Sequence, residues 1–129
     1  MKTLFALLAS LSLAAFAFGA SAQITDISQT ELQAAVASKT AVIFDVNGTD
    51  SYNEGHIPGA VDFIAHRDDF AKFLPADKGS LVVAYCRNEQ CTAYRAAAKA
   101  ALALGYTNVK HFAPGIDGWK QSGAPTEKP

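Results

Sequence analysis

A β-branched apolar run, Leu81-Val82-Val83-Ala84-Tyr85-Cys86, ends in a cysteine, and the polar loop Arg87-Asn88-Glu89-Gln90-Cys91-Thr92 follows it. The run has the length and composition of a strand covered on both faces. Beyond the loop, seven alanines fall between Ala93 and Ala103 and the segment stops at Gly105, a helix-terminating residue. Strand, tight loop and helix N-terminus in that order bring backbone N–H groups and a helix dipole to bear on a thiolate. Cys86 is read as the last residue of the strand, with the helix starting near Cys91 or Thr92. A cysteine so placed is an activated nucleophile. The alternative, a buried structural thiol, would be inert, and the polar loop argues against it.

The rest of the chain reads as scaffold for this loop. Ile24 to Ile27 fits a short edge strand. Ser28-Gln29-Thr30-Glu31 has the form of a capping box, and Leu32, Ala35 and Val36 follow at helical spacing, predicting a helix to about Ser38. Ala41 to Val46 is a second continuous apolar run, broken only by Asp45. A carboxylate near the end of a buried strand needs partners, here expected to be backbone N–H groups of a neighbouring loop. Ser51 to Glu54 suits one helical turn, and Gly55-His56-Ile57-Pro58-Gly59-Ala60 a rigid loop. Val61 to Ile64 is read as a short strand, and Arg67 to Leu74 as a small amphipathic helix stopped by Pro75. Asn108 to Phe112 is another strand. A last short helix begins at Ile116-Asp117-Gly118-Trp119, with Trp119 as a core anchor, and the tail from Gly123 is polar. Strands at 41–46, 81–86 and 108–112 alternating with helices predict a single α/β domain, a mostly parallel sheet flanked by helices on both faces. In such sheets the functional crevice lies beyond the carboxyl ends of the strands, where both Asp45 and Cys86 fall.

The N-terminus reads as a processing signal over residues 1–22. Lys2 gives a positive start, Leu4 to Phe18 is apolar apart from Ser10 and Ser12, and Ala20-Ser21-Ala22 fits a cleavage site. A membrane anchor is the rival reading. The apolar run is short for a span of about 20 residues, and no basic cluster follows it. The expectation is an exported domain over 23–129, with its core at about 24–123 and no membrane association after processing. A bacterial periplasm is the expected compartment, with full secretion as the alternative. Without Lys2, ten Lys/Arg face twelve Asp/Glu, a formal charge of −2. No basic stripe or aromatic platform appears, so nucleic acid is a poor partner.

Two cysteines in an exported chain ordinarily suggest a structural disulfide. A bridge closing so short a loop constrains the unfolded chain little compared with longer loops, so redox or nucleophilic chemistry is preferred over stapling. Cys91 is a resolving thiol, a disulfide partner or merely a small residue at the helix start. Arg87 either assists the thiolate and binds an anion or is an exposed loop charge. Glu89 would repel an anionic substrate such as thiosulfate. Asn88 and Gln90 offer amide hydrogen bonds, and Asn88 tolerates a left-handed conformation. Phosphatase chemistry of the Cys-x5-Arg type fails, because Thr92 occupies the arginine position. Thioredoxin-like chemistry is weak at Cys-x4-Cys spacing, and His56, His66 and His111 are too scattered for a zinc site.

Several motifs together resemble the rhodanese domain of the sulfurtransferase superfamily. Asp45-Val46, Tyr52 and Gly55-His56-Ile57-Pro58-Gly59-Ala60 look like its N-terminal signature, and Val82 to Cys86 like its active-cysteine strand. Gly105-Tyr106-Thr107-Asn108-Val109 and Gly115-Ile116-Asp117-Gly118-Trp119 look like its C-terminal signature. The resemblance implies that Cys86 accepts a sulfane sulfur as a persulfide and passes it to a thiophilic acceptor, small or protein, without metal or cofactor, in a monomer. Loop N–H groups would stabilise the terminal sulfur anion, and Asp45 and His56 would tie the Gly55–Ala60 loop to the sheet. The chain departs from the pattern in three places. Asn47 stands where an arginine is usual, the active loop lacks its central glycine and carries Glu89, and the interval from Cys86 to Gly105 is about two residues longer. A Cys-x-Asn-x-x-Cys variant of the loop fits better. Two rivals stand beside sulfur transfer: a thiol–disulfide redox protein using Cys86 and Cys91, and a non-catalytic binding or sensing module. The first two join if Cys91 attacks a Cys86 persulfide.

Overall fold

The computed structural model describes residues 22–129, so the predicted signal segment lies almost wholly outside the described residues. Five parallel strands form one sheet: β1 (Thr25–Asp26), β2 (Ala41–Asp45), β3 (Val61–Asp62), β4 (Leu81–Tyr85) and β5 (Val109–His111). Their order is β1-β5-β4-β2-β3, which puts the two apolar strands β4 and β2 at the interior and the two-residue strands at the edges. Short edges expose little unpaired backbone. The helices are α1 (Gln29–Ser38), α2 (Thr49–Glu54), α3 (Arg95–Ala103) and α4 (Gly115–Gln121). This is the α/β architecture expected.

Each sheet face carries its own core. On one face Phe44, Val82, Ala84 and Val109 pack against Ala97, Ala98 and Ala101 of α3 and against Phe70. The alanines let α3 lie close to the sheet. On the other face Ile43, Val83 and Tyr85 pack against Leu32 of α1, Ile116 and Trp119 of α4, and Ile57. Trp119 is buried, as expected of a core anchor. The Ser28 capping box forms: Ser28 Oγ accepts the Glu31 N–H at 3.2 Å and Glu31 Oε2 accepts the Ser28 N–H at 2.9 Å.

Four local expectations need correction. Strand β4 stops at Tyr85, with Cys86 just beyond it. Helix α3 begins at Arg95 rather than near Cys91, and Tyr94 at its cap position makes no side-chain hydrogen bond. Only i→i+3 backbone bonds, Arg95 to Thr92 and Ala96 to Ala93, lead into it. The predicted helix at 67–74 is a 3-10 turn over Phe70–Phe73. Its three apolar residues satisfy a helical period, but one turn buries Phe70 against Phe44 and Phe63 without a longer helix. Strand β3 ends at Asp62, whose Oδ1 accepts the N–H groups of Ile64 and Ala65 and so turns the chain.

Candidate active site

The β2–β4 register pairs Asp45 with Tyr85, which aligns the carboxyl ends of the two central strands. Cys86 follows there, 1% exposed. Its carbonyl accepts the Ile116 N–H at 2.9 Å, and the Arg87 carbonyl accepts the Asp117 N–H at 3.0 Å. The first turn of α4 therefore spends two of its free N–H groups on the backbone of the cysteine loop, which fixes where the loop leaves the sheet. Gly115 makes the approach possible. Its φ is +63°, and a Cβ there would lie 2.5 Å from the Cys86 and Arg87 carbonyl oxygens. A glycine is required on both counts.

Within the loop, Asn88 is the organiser. Its carbonyl accepts the Cys91 N–H at 3.1 Å and its Oδ1 accepts the Gln90 N–H at 3.1 Å. The N–H groups of Arg87, Asn88, Glu89 and Thr92 find no acceptor among the described residues. They remain available to an anion. Cys86 and Cys91 are joined in a disulfide with Cα atoms 6.2 Å apart. The cysteine expected as a free nucleophile is thus a half-cystine here, and reduction is needed before it can attack. Arg87, exposed, has Nε 3.5 Å from Asp117 Oδ2. Glu89, Gln90 and Thr92 are exposed, while Asn88 and Cys91 are half-buried. Asn88, Glu89 and Gln90 line one wall of a shallow cleft of about 280 Å³, and Pro114, Asp117, Gly118 and Gln121 line the other. Of the loop residues predicted from the sequence, Asn88, Glu89 and Gln90 line the cleft, while Cys86, Arg87, Cys91 and Thr92 do not; the α4 wall facing them was not foreseen.

Asp45 and His56 support the scaffold by different routes from those expected. Asp45 Oδ1 accepts the Asn47 N–H at 2.8 Å, from its own following turn rather than a neighbouring loop. Its Oδ2 accepts the Tyr85 hydroxyl at 2.6 Å, and that hydroxyl accepts the Ile57 N–H at 3.1 Å. Tyr85 is the link between Asp45 and the Gly55–Ala60 loop. Burial pushes the Asp45 carboxyl above its ordinary value, while the bonds from Tyr85 and Asn47 hold it down. Burial and the adjacent Asp45 push the Tyr85 phenol up, so it stays a donor. Asn47, standing in the usual arginine position, leaves its buried side-chain Nδ2 without a partner. His56 stacks on Tyr52 at 3.7 Å, and its backbone pairs with Glu127 in an antiparallel bridge. The polar tail is therefore folded onto the domain. His111 is buried and stacks on Tyr94 at 3.4 Å. Burial pushes its pKa down.

This geometry has relatives. Residues 28–122 match the family model described as a rhodanese-like domain. An HTH-type transcriptional regulator of Mycobacterium tuberculosis is 31% identical over 103 residues, covering 79% of this chain. The chain spans 44% of that relative's length. A rhodanese-like domain from Anabaena sp. superposes with a TM-score of 0.62 at 24% identity, over 83% of this chain and 81% of that one. Thiosulfate sulfurtransferase from Pseudomonas aeruginosa gives 0.61 at 22% identity, over 81% of this chain and 20% of that one. The match to the family model runs from the α1 cap through α4 and takes in the cysteine loop, both walls of the cleft and the Asp45–Tyr85–Ile57 link, and the chain belongs to the rhodanese-like domain family.

Proposed function

We propose that the protein is an exported sulfurtransferase or persulfide carrier, whose Cys86 takes a sulfane sulfur from a small donor and hands it to a thiol or other thiophilic acceptor. The carrying observation is the position of Cys86 just past the carboxyl end of β4, at the start of a loop in which the N–H groups of Arg87, Asn88, Glu89 and Thr92 have no acceptor among the described residues. Once reduced, the Cys86 thiolate attacks the outer sulfur of the donor. Sulfite leaves with the bonding electrons when the donor is thiosulfate. The loop N–H groups then face the terminal persulfide anion, which lowers the barrier in the manner of an oxyanion hole. Glu89 and Asp117 beside the cleft disfavour a compact dianion such as thiosulfate, so persulfide donors whose charge is spread over a larger molecule suit the site better. Export through the 1–22 signal, a periplasmic setting and action as a monomer belong to the same reading.

Intact mass tests it. Reduced Cys91→Ala protein incubated with glutathione persulfide is expected to gain one sulfur, about 32 Da, and Cys86→Ala protein to gain none. Absence of any adduct on Cys91→Ala with either donor defeats the proposal. A thiol–disulfide redox protein is the second reading, favoured by the Cys86–Cys91 bridge. Fast two-electron exchange requiring both cysteines, without sulfur uptake, would establish it instead.

A further inference from the structure

We infer that Cys91 resolves the Cys86 persulfide, making the protein a dithiol-dependent sulfane-sulfur reductase that releases sulfide, an inference resting on the persulfide reading above. The bridge forms with the loop in its folded position. The Cα separation of 6.2 Å lies in the ordinary range for disulfides, and the two Asn88 hydrogen bonds hold the Cys91 end of the loop in place. Cys91 therefore reaches the Cys86 sulfur without refolding of the loop, and the step is intramolecular. An external acceptor must instead reach the Cys86 sulfur from solution to compete with it, at a large disadvantage in effective concentration.

The chemistry closes. The Cys91 thiolate attacks Cys86 Sγ, the bond from Sγ to the outer sulfur breaks, and that sulfur departs as hydrosulfide with the electron pair. The two cysteines are oxidised to the observed disulfide, and the sulfane sulfur is reduced. Regeneration follows the difference in burial. Cys86 is 1% exposed and Cys91 is half-buried, so a reductant meets Cys91 first. A dithiol attacks Cys91 Sγ and expels the Cys86 thiolate. Its second thiol then closes on the mixed disulfide and frees Cys91. With thiosulfate the sum is thiosulfate plus dithiol giving sulfite, hydrosulfide, a proton and the cyclic disulfide.

The test uses reduced protein freed of dithiol and given one equivalent of glutathione persulfide or thiosulfate. Wild type is expected to release about one sulfide per chain and to end about 2 Da lighter than the reduced form, while Cys91→Ser keeps its added sulfur and releases less than about a tenth as much sulfide. With dithiothreitol restored, the dithiol itself takes the sulfur from Cys91→Ser, so both proteins turn over, and wild type is expected to release sulfide at least about tenfold faster; equal rates overturn the inference. A wild-type adduct as persistent as that of Cys91→Ser overturns the inference while leaving sulfur transfer intact. No adduct on Cys91→Ser removes the persulfide reading itself. Trapping the oxidised protein with monothiol glutathione is expected to label Cys91; a label on Cys86 overturns the proposed order of reduction.

Discussion

Among single residues, Tyr85 carries the most structural consequence for its size. It is the only group that touches both the Asp45 carboxylate and the backbone of the Gly55–Ala60 loop among the described hydrogen bonds. Replacing it with phenylalanine leaves a buried carboxylate short of one donor and the Ile57 N–H without an acceptor. A loss of about 2–3 kcal/mol at pH 7 is expected. The pH dependence has a definite sign. A carboxyl raised above its unfolded value binds its proton more tightly in the folded state, so its contribution is greatest below the unfolded pKa and declines as pH rises through the folded one. Tyr85 opposes that rise, and Tyr85→Phe pushes the Asp45 carboxyl higher still. Urea unfolding should show the variant's deficit shrinking as pH falls from 7 to 4. An equal deficit at both values would mean that Asp45 is not the group left exposed to the loss. Asp45 was legible in the sequence as a charge in an apolar run, whereas Tyr85 reads there as one more strand residue. Its role depends on the β2–β4 register, which no local pattern encodes.

At the scale of elements, the loop is held by α4 more than by α3. Sequence order suggests the opposite, because α3 is the next helix in the chain and α4 arrives from residues 115–121. The alanine spacing correctly marks the body of α3, but its start depends on caps and turn bonds, and Tyr94 carries no capping signal. Gly115 is where the α4 contact can be tested. Alanine there meets both the left-handed backbone and the Cys86 and Arg87 carbonyls. The combined strain is about 2–4 kcal/mol, and relief requires α4 to withdraw from the loop. Gly115→Ala is expected to lower the guanidinium midpoint, to slow sulfur uptake at Cys86 at least about tenfold, and to raise the rate of iodoacetamide alkylation of the reduced protein. A variant with a normal midpoint and normal uptake would show that the loop keeps its course without α4.

Taken as a whole, the molecule is two cores separated by one sheet, and its C-terminal tail closes the core that contains Tyr85 and Trp119. The class of fold was readable because continuous apolar strands and intervening helices leave few arrangements. The tail was not, since Gly123 to Pro129 is polar and proline-bearing and carries no periodicity. Its attachment comes from backbone groups. The His56 and Glu127 N–H groups each donate to the other's carbonyl at 3.0 Å, and Glu127 Oε1 accepts the Gly59 N–H at 2.6 Å. The Trp119 indole donates to the Pro125 carbonyl at 2.8 Å. Truncation after Ala124 removes all four bonds, at about 0.5–1.5 kcal/mol each, so a loss of about 2–6 kcal/mol is expected. The indole then faces water, and the emission of Trp119, the sole tryptophan, should shift to the red. Sulfur uptake at Cys86 should persist at temperatures where the truncated protein remains folded, because none of these bonds involves residues 86–92. A truncated protein that keeps its stability and its emission would show that the tail rests on the domain without holding it. Loss of uptake in a still-folded truncation would instead tie the His56 loop to the chemistry, through Ile57, Tyr85 and the end of β4.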